Sequence, residues 1–173
     1  LYLPASCENI ALLQKDFYLC REEDIDGEKY RNVMIIENIR LRTDIENGND
    51  MTVSGKCLKS LLSRRVIWNQ TNIYGNLETG IRKILTENVV SPEISERRIA
   101  DFTLGKAKGF ADRVDIQVTG GEVSAFLKEV CTAYGIGWDI YIENRKFVFD
   151  LYKGADRSYN QMENPYVIFS PEY

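Results

Sequence analysis

The 173-residue chain contains no histidine. Ser-His-Asp and Cys-His nucleophile chemistry, histidine acid/base catalysis, His-ligated zinc or haem and any imidazole pH switch are thereby excluded. Cysteine is sparse. Cys7, Cys20, Cys57 and Cys131 form no Cys-x-x-Cys pair and lack the density of a secreted disulfide scaffold, which predicts reduced thiols of a cytosolic protein. Long apolar runs are missing, the longest being of the type Val33-Met34-Ile35-Ile36, far below the roughly 18 residues of a membrane span. No basic-then-apolar signal opens the chain. An excess of positive charge is absent too: 26 acidic against 22 basic side chains leave a net charge of −4. That lacks the footprint of a phosphate-backbone binder, so no specific nucleic-acid binding is expected.

What is present is a globular composition, 44% hydrophobic and 28% charged, in a length that suits one domain. Phe17 to Cys20 and Val33 to Ile36 are β-prone runs around the polar stretch Arg21 to Lys29, which reads as a hairpin with a long acidic loop. Asn47-Gly48 suits a tight turn, with Ile39 and Leu41 before it and Met51 and Val53 after it, predicting a third and a fourth strand. Leu58, Leu61 and Leu62 then adopt helical spacing, for a helix to about Arg65. A second helix is capped by Asn76, carries Glu78 in its first turn, stripes Leu77, Ile81, Ile84 and Leu85, and ends by Ser91-Pro92.

From there to Phe110 an extended connection is expected, with at most a short strand around Thr103. Val114, Ile116 and Val118 alternate as a strand, and Val123, Phe126, Leu127, Val130 and Tyr134 follow as a third helix closed by Gly135. Trp138 to Ile142 and Phe147 to Leu151 make a hairpin turning at Glu143 to Lys146. The fold class is α+β: mostly antiparallel sheet or a partial barrel with about three helices, and a strand-helix-hairpin unit in the C-terminal half. Residues 1–173 are taken as one unit, with 1–110 and 111–173 as alternative sub-lobes. The segments Val53 to Leu62 and Val118 to Leu127 echo each other, which predicts a repeated strand-turn-helix with Gly55 and Gly120 in the turns.

Candidate chemistry is thin. The acidic loop Glu22 to Glu28 lacks the Asp spacing and distant Glu of a calcium loop. Gly105-Lys106-Ala107-Lys108-Gly109 resembles a phosphate loop without its Gly-Lys-Ser/Thr end. Asn69-Gln70-Thr71 is a glycosylation sequon with no secretory context. Arg64-Arg65 and Arg97-Arg98 are expected to pair with the chain's own carboxylates or a neighbour's. Carboxylate pairs for glycan hydrolysis can be drawn from many of the acids, and ten tyrosines with two tryptophans permit a sugar platform. No catalytic, cofactor or metal residue follows from the pattern.

Val53-Ser54-Gly55-x-x-Leu58-x-x-Leu61-Leu62-x-x-Arg65-Val66-Ile67, Arg97-Arg98-Ile99, Thr119-Gly120 and Gly135-Ile136-Gly137-Trp138 are similar to the siphophage tail proteins common in Gram-positive prophages. The end of the chain resembles them more specifically, through Gly154-x-Asp156-Arg157-Ser158-x-x-Gln161-x-x-Asn164-x-x-Val167-x-Phe169-Ser170. Cys57 departs from the pattern, where the family often has Ser. The resemblance implies a non-enzymatic assembly module of a phage or prophage tail tip or baseplate hub, made in the bacterial host cytoplasm and built into the virion tail. Other tail proteins would be its partners. No cofactor is implied, and neither is a membrane span. A start at Leu1 without Met and a stop at Tyr173 suggest a fragment of a longer hub protein, monomeric or weakly associated alone and a homotrimeric ring at full length. Rival readings are a carboxylate-based glycan or peptidoglycan hydrolase domain and a carbohydrate-binding module. Asp156 is expected to bond local backbone N–H groups, pinning the loop before the apolar run Tyr166 to Phe169.

Overall fold

In the computed structural model, which describes residues 1–44, 48–155 and 162–163, four α-helices and eleven strands are present. In chain order they are β1 (Tyr2–Pro4), α1 (Cys7–Leu12), β2 (Tyr18–Leu19), β3 (Ile25–Asp26), β4 (Lys29–Tyr30), β5 (Met34–Asp44), β6 (Gly48–Cys57) and α2 (Ser60–Ser63). Then come β7 (Thr71–Asn76), α3 (Leu77–Leu85), β8 (Phe102–Leu104), β9 (Arg113–Val118), α4 (Val123–Ala133), β10 (Ile136–Glu143) and β11 (Lys146–Lys153). The strands form a first sheet in the order β1-β6-β5-β2, a second in the order β3-β4-β10-β11-β8, and a ribbon of β7 with β9. Every pairing is antiparallel except β8 with β11. The class is α+β, and no sheet closes into a barrel.

The expected first hairpin is present, with Tyr18 opposite Ile35. The acidic loop inside it contains a further small hairpin, β3 with β4, turning at Gly27-Glu28; it adds to β10 through Tyr30 opposite Ile142. The runs around Val33–Ile36 and Ile39–Leu41, expected as separate strands, are one strand. A bulge at Glu37 moves the register from Ile36 opposite Gly55 to Asn38 opposite Ser54, and pairing then continues to Asp44 opposite Gly48. Gly55 is required there by space: a Cβ on it would lie 1.8 Å from the Ile35 carbonyl oxygen. Of the Asn47-Gly48 turn, Asn47 lies outside the described residues.

The first helix expected from Leu58 to Arg65 shrinks to α2, because Val66 leaves to bridge Glu122. The helix at 77–85 is as expected, with the Asn76 carboxamide oxygen accepting from the Thr79 N–H at 2.9 Å. Its last turn widens over residues 86–90, where the Ser91 N–H reaches the Thr86 carbonyl at 2.8 Å. The short strand near Thr103, the strand at 113–118, the helix ended by Gly135 and the final hairpin match expectation. The echo is only coarse. Both segments run from strand to helix, but Gly55 sits in mid-strand while Gly120, at φ +74°, is in the turn. β1, α1 and β7 were not anticipated. Helix α1 buries none of its residues, so it offers no apolar stripe to read.

The main core joins Leu58, Leu62, Leu77, Ile81, Ile84 and Leu85 to Val123, Leu127, Phe149 and Leu151. A small second cluster, Ile36, Met51 and Val53, lies under Leu3, Leu13 and Leu19. Pairing of β7 with β9 and of β8 with β11 crosses residue 110, so described residues on either side of it share one core.

One buried carboxylate organises the connection between β8 and β9. Glu78, only 4% exposed, accepts N–H bonds from Lys108 at 2.7 Å, Gly109 at 2.8 Å and Phe110 at 3.1 Å. The stretch that resembles a phosphate loop does present its amides to an anion, and the anion is the chain's own. Arg82 adds a bond to the Gly105 carbonyl at 2.9 Å, and Asn76 donates to the Phe110 carbonyl at 2.6 Å. Removing the carboxylate would orphan three amides. Glu78→Ala is therefore expected to lower stability by roughly 3 kcal/mol, read by urea unfolding, with an unchanged midpoint as the contrary result.

The thiols make a second test. All four cysteines are free; Cys7 and Cys57 are exposed, whereas burial pushes the Cys131 thiol up to about 11. Iodoacetamide at pH 8 is expected to label Cys7 and Cys57 rapidly and to spare Cys131 until the chain is unfolded, as peptide mass spectrometry will show.

Candidate functional site

Of the residues singled out by resemblance, Arg65, Arg97 and Gly120 converge on one junction. The chain leaving α2 runs antiparallel beside the turn that enters α4: the Ile67 N–H donates to the Gly121 carbonyl at 2.9 Å, the Gly120 N–H to the Ile67 carbonyl at 3.0 Å and the Val123 N–H to the Arg65 carbonyl at 2.9 Å. The positive φ of Gly120 makes this tight entry accessible at little steric cost. Ser63 and Ser124 close the contact between the helices, their hydroxyls 3.0 Å apart.

The arginines then tie in a third segment. Arg65 donates from Nε to the Arg97 carbonyl at 2.6 Å and from a terminal nitrogen to the Arg64 carbonyl at 2.9 Å. Arg97 returns a bond to the Val66 carbonyl and sets its guanidinium 4.9 Å above the Trp68 ring. Burial first, and the neighbouring Arg97 and Arg64 charges second, pull the Arg65 guanidinium down from its ordinary value. The widened turn after α3 completes the arrangement: buried Asn88 accepts the Trp68 N–H at 2.9 Å and donates to the Ile84 carbonyl at 2.9 Å.

This corrects the expected role of the arginine pairs. Arg64 does meet a carboxylate, Glu37 at 3.3 Å, but Arg65 and Arg97 serve backbone carbonyls instead. A forked guanidinium can satisfy several carbonyls that a loop leaves open, which a lysine cannot do. Arg98 is exposed, and its guanidinium makes no ion pair or hydrogen bond among the described residues. Gly55 lies at the bulge of the first sheet, and Gly154 follows β11, its N–H donating to the Gly135 carbonyl at 3.3 Å. Asp156, Arg157, Ser158, Gln161 and Asn164 lie outside the described residues. Sequence reading missed Trp68, Glu78 as an amide acceptor, and Asn88; a polar residue inside an apolar helical run is the signal that marked Asn88.

Elsewhere the candidate chemistry is locally engaged. In the acidic loop, Asp24 accepts from Asn32 at 2.6 Å and from Arg21 at 2.9 Å, contacts that hold its carboxyl below the usual range, the Asn32 bond first. Glu22 and Glu23 share a surface cleft with Arg21, which pairs with Glu23 at 2.5 Å. Among the described residues no cluster of three or more Cys, Asp or Glu side chains is arranged to hold a metal ion. Among the described residues six tyrosines are exposed: Tyr2 and Tyr18 on the first sheet, Tyr30 and Tyr152 on the second, Tyr74 on the β7–β9 ribbon and Tyr134 at the end of α4. No described helix is long and apolar enough to cross a membrane.

A family model described as siphovirus ReqiPepy6 Gp37-like protein matches residues 1–173, and the chain belongs to that phage family. No curated protein and no solved structure is similar enough to count as a match.

If the junction is held by Arg65, then Arg65→Gln is expected to cost about 2 kcal/mol through the two carbonyls it abandons, while Arg98→Gln changes stability by under about 0.5 kcal/mol. Thermal unfolding of both variants checks this; equal effects would dissociate the junction from stability.

Proposed function

We propose that the chain is a structural part of the tail tip or baseplate hub of a siphophage or prophage, an assembly module that performs no catalysis. It acts by docking to other tail proteins and to copies of itself in a closed threefold ring. Membership of a siphovirus family supports the virion setting. The single observation that carries the assembly reading is the outer edge of β5.

Over residues 38–43 that edge has no strand partner among the described residues, since β2 pairs only with Met34 and Ile35. Ile39 and Leu41 stand opposite buried Val53 and Met51, and so on the same face, yet Leu41 is 55% exposed. An open edge flanked by an uncovered apolar strip is a surface that monomeric proteins usually blunt and that assemblies use. The local engagement of Asp24 and Glu23, and the use of Arg65 and Arg97 on backbone, favour this reading over a carboxylate-based hydrolase.

The test uses the phage that encodes the protein. Leu41→Lys, at an exposed position, is expected to leave the purified chain folded and to abolish formation of infectious tails. Immunogold labelling with antibodies to the chain should place it at the tail tip. Normal infectivity of the variant phage, or gold on the head, would refute the reading, as would peptidoglycan hydrolysis by the purified chain that a single Asp or Glu substitution removes.

A further inference from the structure

Between the end of β6, α2, the start of α4 and β10 lies an open cleft of about 580 Å³, bordered by the Ser63–Ser124 contact of the junction and not used by the proposed assembly edge. In a chain of net charge −4 its lining is notably basic: Lys56, Lys59 and Lys128 line it together with Ser60 and Trp138. Lys56 and Lys59 form loose pairs, with Glu37 and Asp139, each at 3.5 Å, and Lys59 also lies 5.0 Å above the Trp138 ring. Such solvent-exposed pairs contribute little and are readily exchanged for another anion. The Lys128 ammonium makes no ion pair or hydrogen bond among the described residues. The Ser60 hydroxyl oxygen is buried and has no hydrogen-bond partner among them.

We infer that this cleft binds a phosphate monoester carried on a small polyhydroxy compound. Three separate ammonium groups suit a tetrahedral group with three free oxygens better than a planar carboxylate, whose two oxygens a single forked arginine would satisfy. The volume falls in the roughly 300–1,000 Å³ range of small-molecule sites and leaves room beyond a bare oxyanion. The Ser63 and Ser124 hydroxyls at the α2–α4 contact line the cleft and offer partners for hydroxyl groups, and the lysine stems and indole edge form an apolar wall. Glu37 and Asp139 repel the ligand, but each faces a cation: Glu37 meets both Lys56 and Arg64, and Asp139 meets Lys59. The inference does not depend on the tail assignment.

Calorimetric titration of the whole chain at low salt with glycerol 3-phosphate, inorganic phosphate and glycerol tests it. Saturable binding is expected for glycerol 3-phosphate, weaker binding for inorganic phosphate and none for glycerol. Lys128→Gln should weaken the ester roughly tenfold, the loss of one charged hydrogen bond. Lys128→Arg, which keeps the charge, should retain binding, and Lys106→Gln, outside the cleft, should match the parent chain. Unsaturated heats up to ~10 mM ester, equal affinity for inorganic phosphate, or undiminished binding by Lys128→Gln would each overturn the assignment.

Discussion

The fold depends on a carboxylate that never meets solvent. Glu78 begins α3, and its two oxygens collect three successive N–H groups of the long link between the second sheet and the β7–β9 ribbon. That link has little apolar content with which to fold itself. Residues 106–109 are all exposed and Phe110 is only half-buried. A buried carboxylate left alone would be costly, and so would three unpaired amides; together each removes the other's penalty. With the link fixed, β8 lies parallel to β11 and β9 returns beside β7, so α3 is enclosed between elements far apart in sequence.

The arginine junction solves the same problem at the opposite end of α3. There the chain passes from α2 to β7 without regular structure, and the open carbonyls of Arg64, Val66 and Arg97 are met by two guanidinium groups. Asn88 supports it from the widened turn, where one extra residue rotates a polar side chain inward. Lysine could bring the charge to these positions, but not the planar fork. Arg65 and Arg97 therefore act on backbone geometry.

Legibility from sequence followed the source of each element's stability. α3, α4 and the β10–β11 hairpin owe theirs to an apolar face of regular period, and each was readable within a residue or two. α1, held by a Ser6 cap and by no buried side chain, left no period to find. β7 buries the alternating Thr71 and Ile73, but Asn72 and Gly75 among them weaken the strand signal over so short a segment. The small β3–β4 hairpin was announced by Asp26-Gly27, a turn pair that the surrounding acidic charge concealed. Gly55, expected in a turn, sits in a strand; a close approach between strands and a turn both ask for glycine, and only the partner strand distinguishes them.

The same reasoning separates what the interior needs from what the surface offers. Glu78, Asn88, Arg65 and Arg97 are spent on backbone groups, so substitutions there act through folding. Ile39 and Leu41 stabilise little, for they are partly or largely exposed beside a core that Met51 and Val53 already fill. Exposed apolar side chains on an unpaired strand edge favour aggregation unless something covers them. In the proposed assembly role a partner surface would cover them. The lysine-lined cleft is built from residues other than those of that edge, so an assembly contact and a ligand site can coexist on one chain without competing for the same residues.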